Sequence, residues 1–333
     1  MKTQPIVTIV IHKKMIEIST DINKAKTILE SNELVAIPTE TVYGLAGNIY
    51  NESAIKKIFE TKKRPLFNPL IVHIHDIKQL KEIAIEIPEK AQKLATTFWP
   101  GSLTLVLKKN NNIPDIITAG KDTVAIRIPN HPLTLALLKS LTFPLAAPSA
   151  NPFGSISPTT AQHVADYFPN DLQLVLDGGN CQNGIESTII GFENNEPILY
   201  RLGSISVEEI EAVIGKIQIK NNNEKSPNAP GMLSRHYAPK TKTILVDAVE
   251  NELKFHPNKK IGVLLFQNSI TNPLITSTET LSEKGDLKQA MSNLYAAMHR
   301  LDKQNLDIII AEKFPENDLG KSINDRLQRA TKN

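Results

Sequence analysis

The run Lys62–Ile74, KKRPLFNPLIVHI, sets three cations beside Pro65, a side-chain amide at Asn68 and a histidine inside an apolar stretch. Lysine offers a point charge and arginine a planar fork, the two shapes that hold phosphate oxygens. Pro65 and Pro69 fix the path of the turn between them. A cation triplet ending a helix also suits the helix dipole, so the triplet alone does not decide for a ligand. His73 and His75 alternate onto one face of a strand. Arg127, mid-strand in VAIRIP, shares a face with Ala125, opposite Val124, Ile126 and Ile128. If buried there, it needs a carboxylate or phosphate partner. Arg201 in LYRLGS makes the same demand. Hydroxyls gather in three places: Thr39, Thr41 and Tyr43 after VAIP; Ser149, Ser155 and Ser157 around Asn151; and Ser187 and Thr188 after a Gly-rich turn. Polar groups at strand ends face ligand crevices, and turns of this kind cup anions. Taken singly, each stretch also reads as a capped turn, a surface loop or a packed histidine.

Common nucleotide signatures are missing. No G-x-G-x-x-G occurs, and a P-loop is only imitated. Gly179–Gly184 continues with Ile-Glu instead of Lys-Ser, and PENDLGKS has Pro315 where the first glycine belongs. H-E-x-x-H and G-x-S-x-G are absent too. The single cysteine, Cys181, forms neither an internal disulfide nor a cysteine metal cluster, and fits a reducing compartment. A net charge of +3 in 333 residues argues against a whole-protein electrostatic grip on nucleic acid. The N-terminal apolar run is broken by His12 and two lysines, and no run approaches the ~20 apolar residues that span a bilayer. A cytoplasmic protein is expected.

The elements that must position these groups alternate. Strands are expected at 34–38, 69–74, 103–107, 123–128, 172–176, 187–190 and 197–201, with helices at 52–62, 88–98, 131–141 and 159–168. Asp21 or Asn23 can cap an early helix, and Ser206 reads as an N-cap with Glu209 completing a capping box. Strand–helix alternation with consecutive strands near 187–201 predicts an α/β class built on a mixed sheet. The pattern stops near 218, in an Asn- and Pro-rich stretch, and resumes after 240. The expected division is 1–218, a linker or lid at 219–240, and a small α/β unit at 241–333 with a long helix near 286–304 and a closing helix at 320–332.

Together, VAIPTETVYGL, KKRPLFNPLIVHI, FWPGSLTLVLK, TAGKDTVAIRIPNHP, PLAAPSANPFGSISPT, DGGNCQNGIESTII and LYRLGSIS resemble, in order and spacing, the YrdC-like threonylcarbamoyl-AMP synthases. APGMLSRHYAPK and LGKSINDRLQRA are similar to the extra segments of the longer, two-domain form. Lys63 and Ser102 stand at the places where this chain departs from the usual wording of the motifs.

The resemblance implies a twisted mixed-sheet YrdC-like N-terminal domain and a smaller Rossmann-like α/β C-terminal domain. It implies that L-threonine, bicarbonate or CO2, and ATP give L-threonylcarbamoyl-AMP and pyrophosphate. The product would pass to a threonylcarbamoyl transferase complex that modifies the adenosine beside the anticodon of tRNAs reading A-starting codons. The roles carried over are Lys62 and Arg64 for charge stabilisation, and Thr39, His73, Arg127 and Ser187 for threonine. Lys62, Arg64, Asn68, Thr118, Ser149, Asn151, Ser157, Arg201 and Tyr237 are the ATP-side residues. Mg2+ would be held mainly by the phosphates, and tRNA itself is a further candidate contact. The competing reading is a double-stranded RNA or tRNA-binding module without catalysis. A third reading, a carbamoyl-adenylate former of the hydrogenase-maturation type, lacks its zinc portion here.

Overall fold

The computed structural model describes residues 16–220 and 236–332. The N-terminal apolar run and most of the expected linker lie outside the described residues. Two sheets organise the described residues. The larger has 12 strands. In spatial order they are Glu17–Ser19, Leu174–Leu176, Val35–Ile37, Gly44–Asn48, Leu145–Ala146, Ile71–His73, Thr123–Arg127, Leu103–Lys109, Thr188–Glu193, Glu196–Arg201 and Gln218–Ile219. The twelfth, Ala84–Glu86, pairs with Leu103–Lys109 off this path. Parallel and antiparallel pairs mix, as the consecutive strands near 187–201 predicted: Thr188–Glu193 runs parallel to Leu103–Lys109 and antiparallel to Glu196–Arg201. The smaller sheet is all parallel, in the order Thr243–Val246, Ile308–Glu312, Ile261–Leu265, Ile275–Thr280.

Local chemistry explains the elements that carry the site. Asn51 caps the helix Glu52–Lys62 by accepting from the Ala54 N–H, and the left-handed Lys63 (φ 52°) ends it. That stop aims Lys62 and Arg64 in different directions. Ser206 and Glu209 form the expected capping box on Val207–Ile214. The strand Gly44–Asn48, sequence GLAGN, was not foreseen; its residues read as part of a polar turn. Its glycines answer a packing need. A Cβ on Gly47 would lie 3.0 Å from a Leu34 methyl and 3.2 Å from one of Ile58, crowding that a bare backbone avoids.

The main core is the apolar layer under the large sheet, including Leu45, Ile55, Ile58, Leu105, Ile126 and Val175. A second cluster joins the two halves. It packs Val42, Ile156 and Ile185 against Tyr237, Met291, Leu294 and Tyr295 of the C-terminal portion. This contact places the helices Leu287–Asp302 and Leu319–Ala330 behind one wall of the site.

Candidate active site

Strand ends and turns of the large sheet converge on one inner cavity. Thr39, Arg64, His73, Arg127, Ser149, Ser187, Arg201 and Tyr237 all line it, as do Thr41, Glu186 and His236. Lys62, Asn68, Thr118, Asn151 and Ser157 are buried but do not line it.

One side is built on the hairpin after Val35–Ile37. The Thr39 hydroxyl donates to the Val42 carbonyl (2.7 Å) and accepts from the N–H groups of Thr41 and Val42, so its work is to shape the turn. The turn delivers Glu40 and Thr41 to Arg127. That guanidinium donates to Glu40 Oε1 at 2.6 Å, Thr41 Oγ1 at 2.9 Å and the Gly101 carbonyl at 3.1 Å. The second Glu40 oxygen accepts the Asn130 N–H. Arg127 thus meets the carboxylate partner that burial demanded. These bonds use three of its five N–H groups, which leaves two without a bond among the described residues. His73 pairs beside it in register. Its Nδ1 lies 3.2 Å from the Ile71 carbonyl. Donation from Nδ1 leaves Nε2 as an acceptor. Burial, and then the Arg127 charge, lower the imidazole to about 3, so it is neutral near pH 7.

The other side gathers cations. Arg64 donates to the Asn68 and Pro69 carbonyls and faces both the inner cavity and an outer, mostly apolar one of about 650 Å3. Phe59, Leu66, Asp115 and Ile116 help to line the outer cavity. Thr118 ends the short helix Asp115–Thr118 beside it and donates its hydroxyl to the Lys121 carbonyl. Lys62 sits behind the wall, its ammonium on the carbonyls of Ser149 (2.5 Å) and Asn151 (2.6 Å). Burial and then the neighbouring Arg64 push Lys62 well below its ordinary value. Asn151 clamps the same loop through the Pro152 and Ser155 carbonyls. Arg201 donates to the backbone oxygen and the hydroxyl of Ser187. Several buried polar atoms have no hydrogen-bond partner among the described residues: the Tyr237 hydroxyl, His236 Nδ1, Asn151 Oδ1 and both amide atoms of Asn68. Unpaired buried groups of this kind are expensive unless a ligand satisfies them.

Tyr237 has φ 63°, a left-handed backbone that costs an aromatic residue about 1–3 kcal/mol. The Ala238 N–H bonded to the Gly154 carbonyl and the packing of its ring hold it there.

Glu186, His236 and the C-terminal residues behind Glu186 were not singled out from sequence. A signal existed for Arg326: it falls in the apolar stripe Leu319, Ile323, Leu327, Ala330 of an amphipathic helix, where a cation must find a partner.

Two family models cover most of the chain. One, described as Telomere recombination and named for Sua5, YciO and YrdC, matches residues 27–203. The other, the threonylcarbamoyl-AMP synthase C-terminal domain, matches 205–331. The chain belongs to the threonylcarbamoyl-AMP synthase family. As a member of that family it is a nucleotidyl-transferring enzyme. Synthases of this name from Pyrococcus abyssi and Bacillus subtilis are each 41% identical to it; the alignments cover 92% and 94% of this chain, and 93% and 94% of theirs. The crystal structure of P. abyssi Sua5 complexed with L-threonine superposes with a TM-score of 0.88 at 40% identity, covering 95% of this chain and 97% of that one. A variant of the same archaeal protein, with an adjacent histidine and tyrosine both changed to alanine, matches equally well, with a TM-score of 0.88. Both domains of the expected fold are therefore present. Among the described residues no helix is long and apolar enough to cross a membrane.

Proposed function

We propose that this chain makes L-threonylcarbamoyl-AMP at the inner cavity, with the substrates divided between its two sides. The observation that carries the reading is the convergence of Arg64, Arg201, Arg127 and the neutral His73 on one buried space, beside buried polar atoms that lack partners among the described residues. The threonine carboxylate takes the two remaining N–H groups of Arg127. His73 Nε2 accepts from the threonine amine or hydroxyl, and Ser187 closes that end. Thr39 serves by holding the turn. ATP lies on the cation side, its phosphates toward Arg64 and Arg201 and its base toward the outer cavity over Thr118. Arg64 is the one of these cations that faces both spaces. Ser149 faces the phosphates directly. Lys62, Asn151 and Ser157 support the loop around it from behind, Lys62 adding positive potential, and Asn68 turns its unpaired amide to the nucleotide.

The chemistry needs no side-chain nucleophile. The threonine amine adds to CO2, losing a proton, and forms a carbamate. A carbamate oxygen attacks the α-phosphorus while the bond to the β-phosphate oxygen breaks, releasing pyrophosphate. Positioning and neutralisation of the growing negative charge do the catalytic work. Among the described residues no group of three or more His, Cys, Asp or Glu side chains forms a metal cage. Glu40 and Glu186 already hold other partners. The residues therefore do not fit a protein-held metal, and Mg2+ would come with the nucleotide.

Tyr237 and His236 cover the nucleotide side. The mixed anhydride product is readily hydrolysed, so a segment folded across the mouth excludes water. His236–Tyr237 is the one His-Tyr pair in this sequence, and a His-Tyr pair is what the archaeal variant replaces. The division 1–218, 219–240 and 241–333 then reads as catalytic unit, lid and brace. The product would go to a tRNA-modifying transferase in the cytoplasm, a setting that the single buried thiol of Cys181 suits.

The test is pyrophosphate release from ATP, Mg2+, bicarbonate and L-threonine. Omitting threonine is expected to abolish most of the signal, and Tyr237→Ala to lower the yield of intact product. Equal release without any amino acid would overturn the reading. Tight, salt-dependent RNA binding without threonine-dependent release would favour a binding module instead.

A further inference from the structure

Arg326 lies on the helix Leu319–Ala330 of the second domain and is fully buried. It reaches three groups at or beside the cavity wall at once, two in the first domain and one in the segment that joins the domains. Its Nε donates to Glu186 Oε2 at 3.0 Å, its Nη2 donates to the Leu202 carbonyl at 2.7 Å, and its guanidinium lies 4.9 Å from the centre of the Tyr237 ring. Glu186 is the hub. It also accepts from the Ser157 hydroxyl at 2.6 Å and from the Tyr295 hydroxyl at 3.0 Å. Both Glu186 and Tyr237 line the inner cavity, and Leu202 follows Arg201, which lines it too. A bidentate, planar cation is suited to fixing several groups at set angles, and a lysine is not.

We propose that Arg326 is a positioning residue for the nucleotide side of the reaction, through which the second domain holds Glu186, the Arg201–Leu202 strand end and the Tyr237 ring in one arrangement. The proposal rests on the ATP placement given above. It assigns the second domain a role beyond covering the first: without Arg326, Glu186 is left a buried charge short of its strongest partner. Its carboxylate then turns toward the nearby cations and competes with phosphate. Burial raises Glu186, but Arg326, Arg201 and hydrogen bonds from the Ser157 hydroxyl and the backbone together outweigh it and keep the carboxylate ionised. Arg127 and His73 make no contact with this network among the bonds described; Ser187, which closes the threonine end, touches it through Arg201 alone, so the effect on threonine is expected to be the smaller one.

The experiment uses the full chain and compares Arg326→Ala with Leu327→Ala, a neighbouring core truncation on the same helix. KM for ATP and for threonine are measured separately from threonine-dependent pyrophosphate release. For Arg326→Ala the expectation is a rise in ATP KM of about tenfold or more, with threonine KM within about twofold. Millimolar guanidinium should restore part of the activity to this variant and none to Leu327→Ala. An unchanged ATP KM, or equal defects in both variants with no guanidinium rescue, overturns the proposal. If Arg326→Ala does not fold, Tyr295→Phe decides. It keeps the ring and removes one hydrogen bond to Glu186, so ATP KM should rise about threefold; no change overturns the proposal. Wild-type protein that shows no threonine-dependent release would instead sink the functional reading, before any variant is compared.

Discussion

At the scale of single residues, the site separates groups that face the cavity from groups that hold the first set in place. The run KKRPLFNPLIVHI contains both kinds. Arg64 and His73 open onto the cavity, whereas Lys62 grips two carbonyls behind it and Asn68 keeps an unpaired amide. Arg64→Ala is expected to raise ATP KM by about tenfold to a hundredfold with little change for threonine. His73→Ala should do the reverse and raise the threonine requirement. Steady-state kinetics with each substrate varied in turn would check both; the same substrate affected in both variants would contradict the division. The types of these residues were legible in the sequence, but their partners were not. Arg127 announced its need for an anion by lying in an apolar strand. That Glu40 meets it depends on a hairpin turn, set by the Thr39 hydroxyl, which no periodicity reveals.

At the scale of elements, the joint between the two halves is set by close backbone approach. Gly184 has φ 73°, and a Cβ there would lie 2.3 Å from the Ser292 carbonyl oxygen and 2.7 Å from that of Met291. These carbonyls belong to the helix Leu287–Asp302. Gly184→Ala combines a left-handed backbone with a clash against rigid backbone, so it is expected to destabilise the protein by about 2–4 kcal/mol. Urea unfolding would measure it; a change within about 0.5 kcal/mol would contradict the packing described. Long periodic elements were readable in advance: the helix Glu52–Lys62, the Ser206 capping box and the strands around Ile126 and Leu105 fell where pattern and caps put them. Short strands escaped. Gly44–Asn48 and Ala84–Glu86 are small-residue or brief segments whose strand character comes from neighbours in the sheet, not from their own propensity. The Glu186–Arg326 contact spans 140 positions, and only the fold brings it together.

At the scale of the whole molecule, the two sheets are joined by an interface that carries titratable groups. His163 and His299 stack at 3.8 Å across it, and His299 lies 3.2 Å from the Ser157 carbonyl. Burial lowers His163 to about 3 and His299 to about 4 from an ordinary 6.5; Lys303 and Arg300 near His163 act in the same direction, and Asp166 opposes. The unfolded chain therefore binds protons between these values and 6.5 that the folded chain refuses. Stability should be full above pH 6.5 and fall as pH drops through that window. Glu186, lowered in the folded state, adds to the loss on the acid side. His299→Gln keeps a donor for Ser157 and should remove up to about 1.4 kcal/mol per pH unit from the slope between pH 6.5 and 4. Unfolding followed by denaturant across that range would show it; an unaltered slope would contradict the assignment.

Threonine, CO2 and AMP must all be joined in the one cavity if the account holds. The most direct measurement supplies labelled bicarbonate and ATP labelled at the α-phosphate, together with L-threonine, and separates the products by mass. The account predicts one threonine-dependent species that carries both labels, formed one-for-one with pyrophosphate. Pyrophosphate appearing with AMP alone, or a labelled adenylate lacking the carbon label, would contradict it.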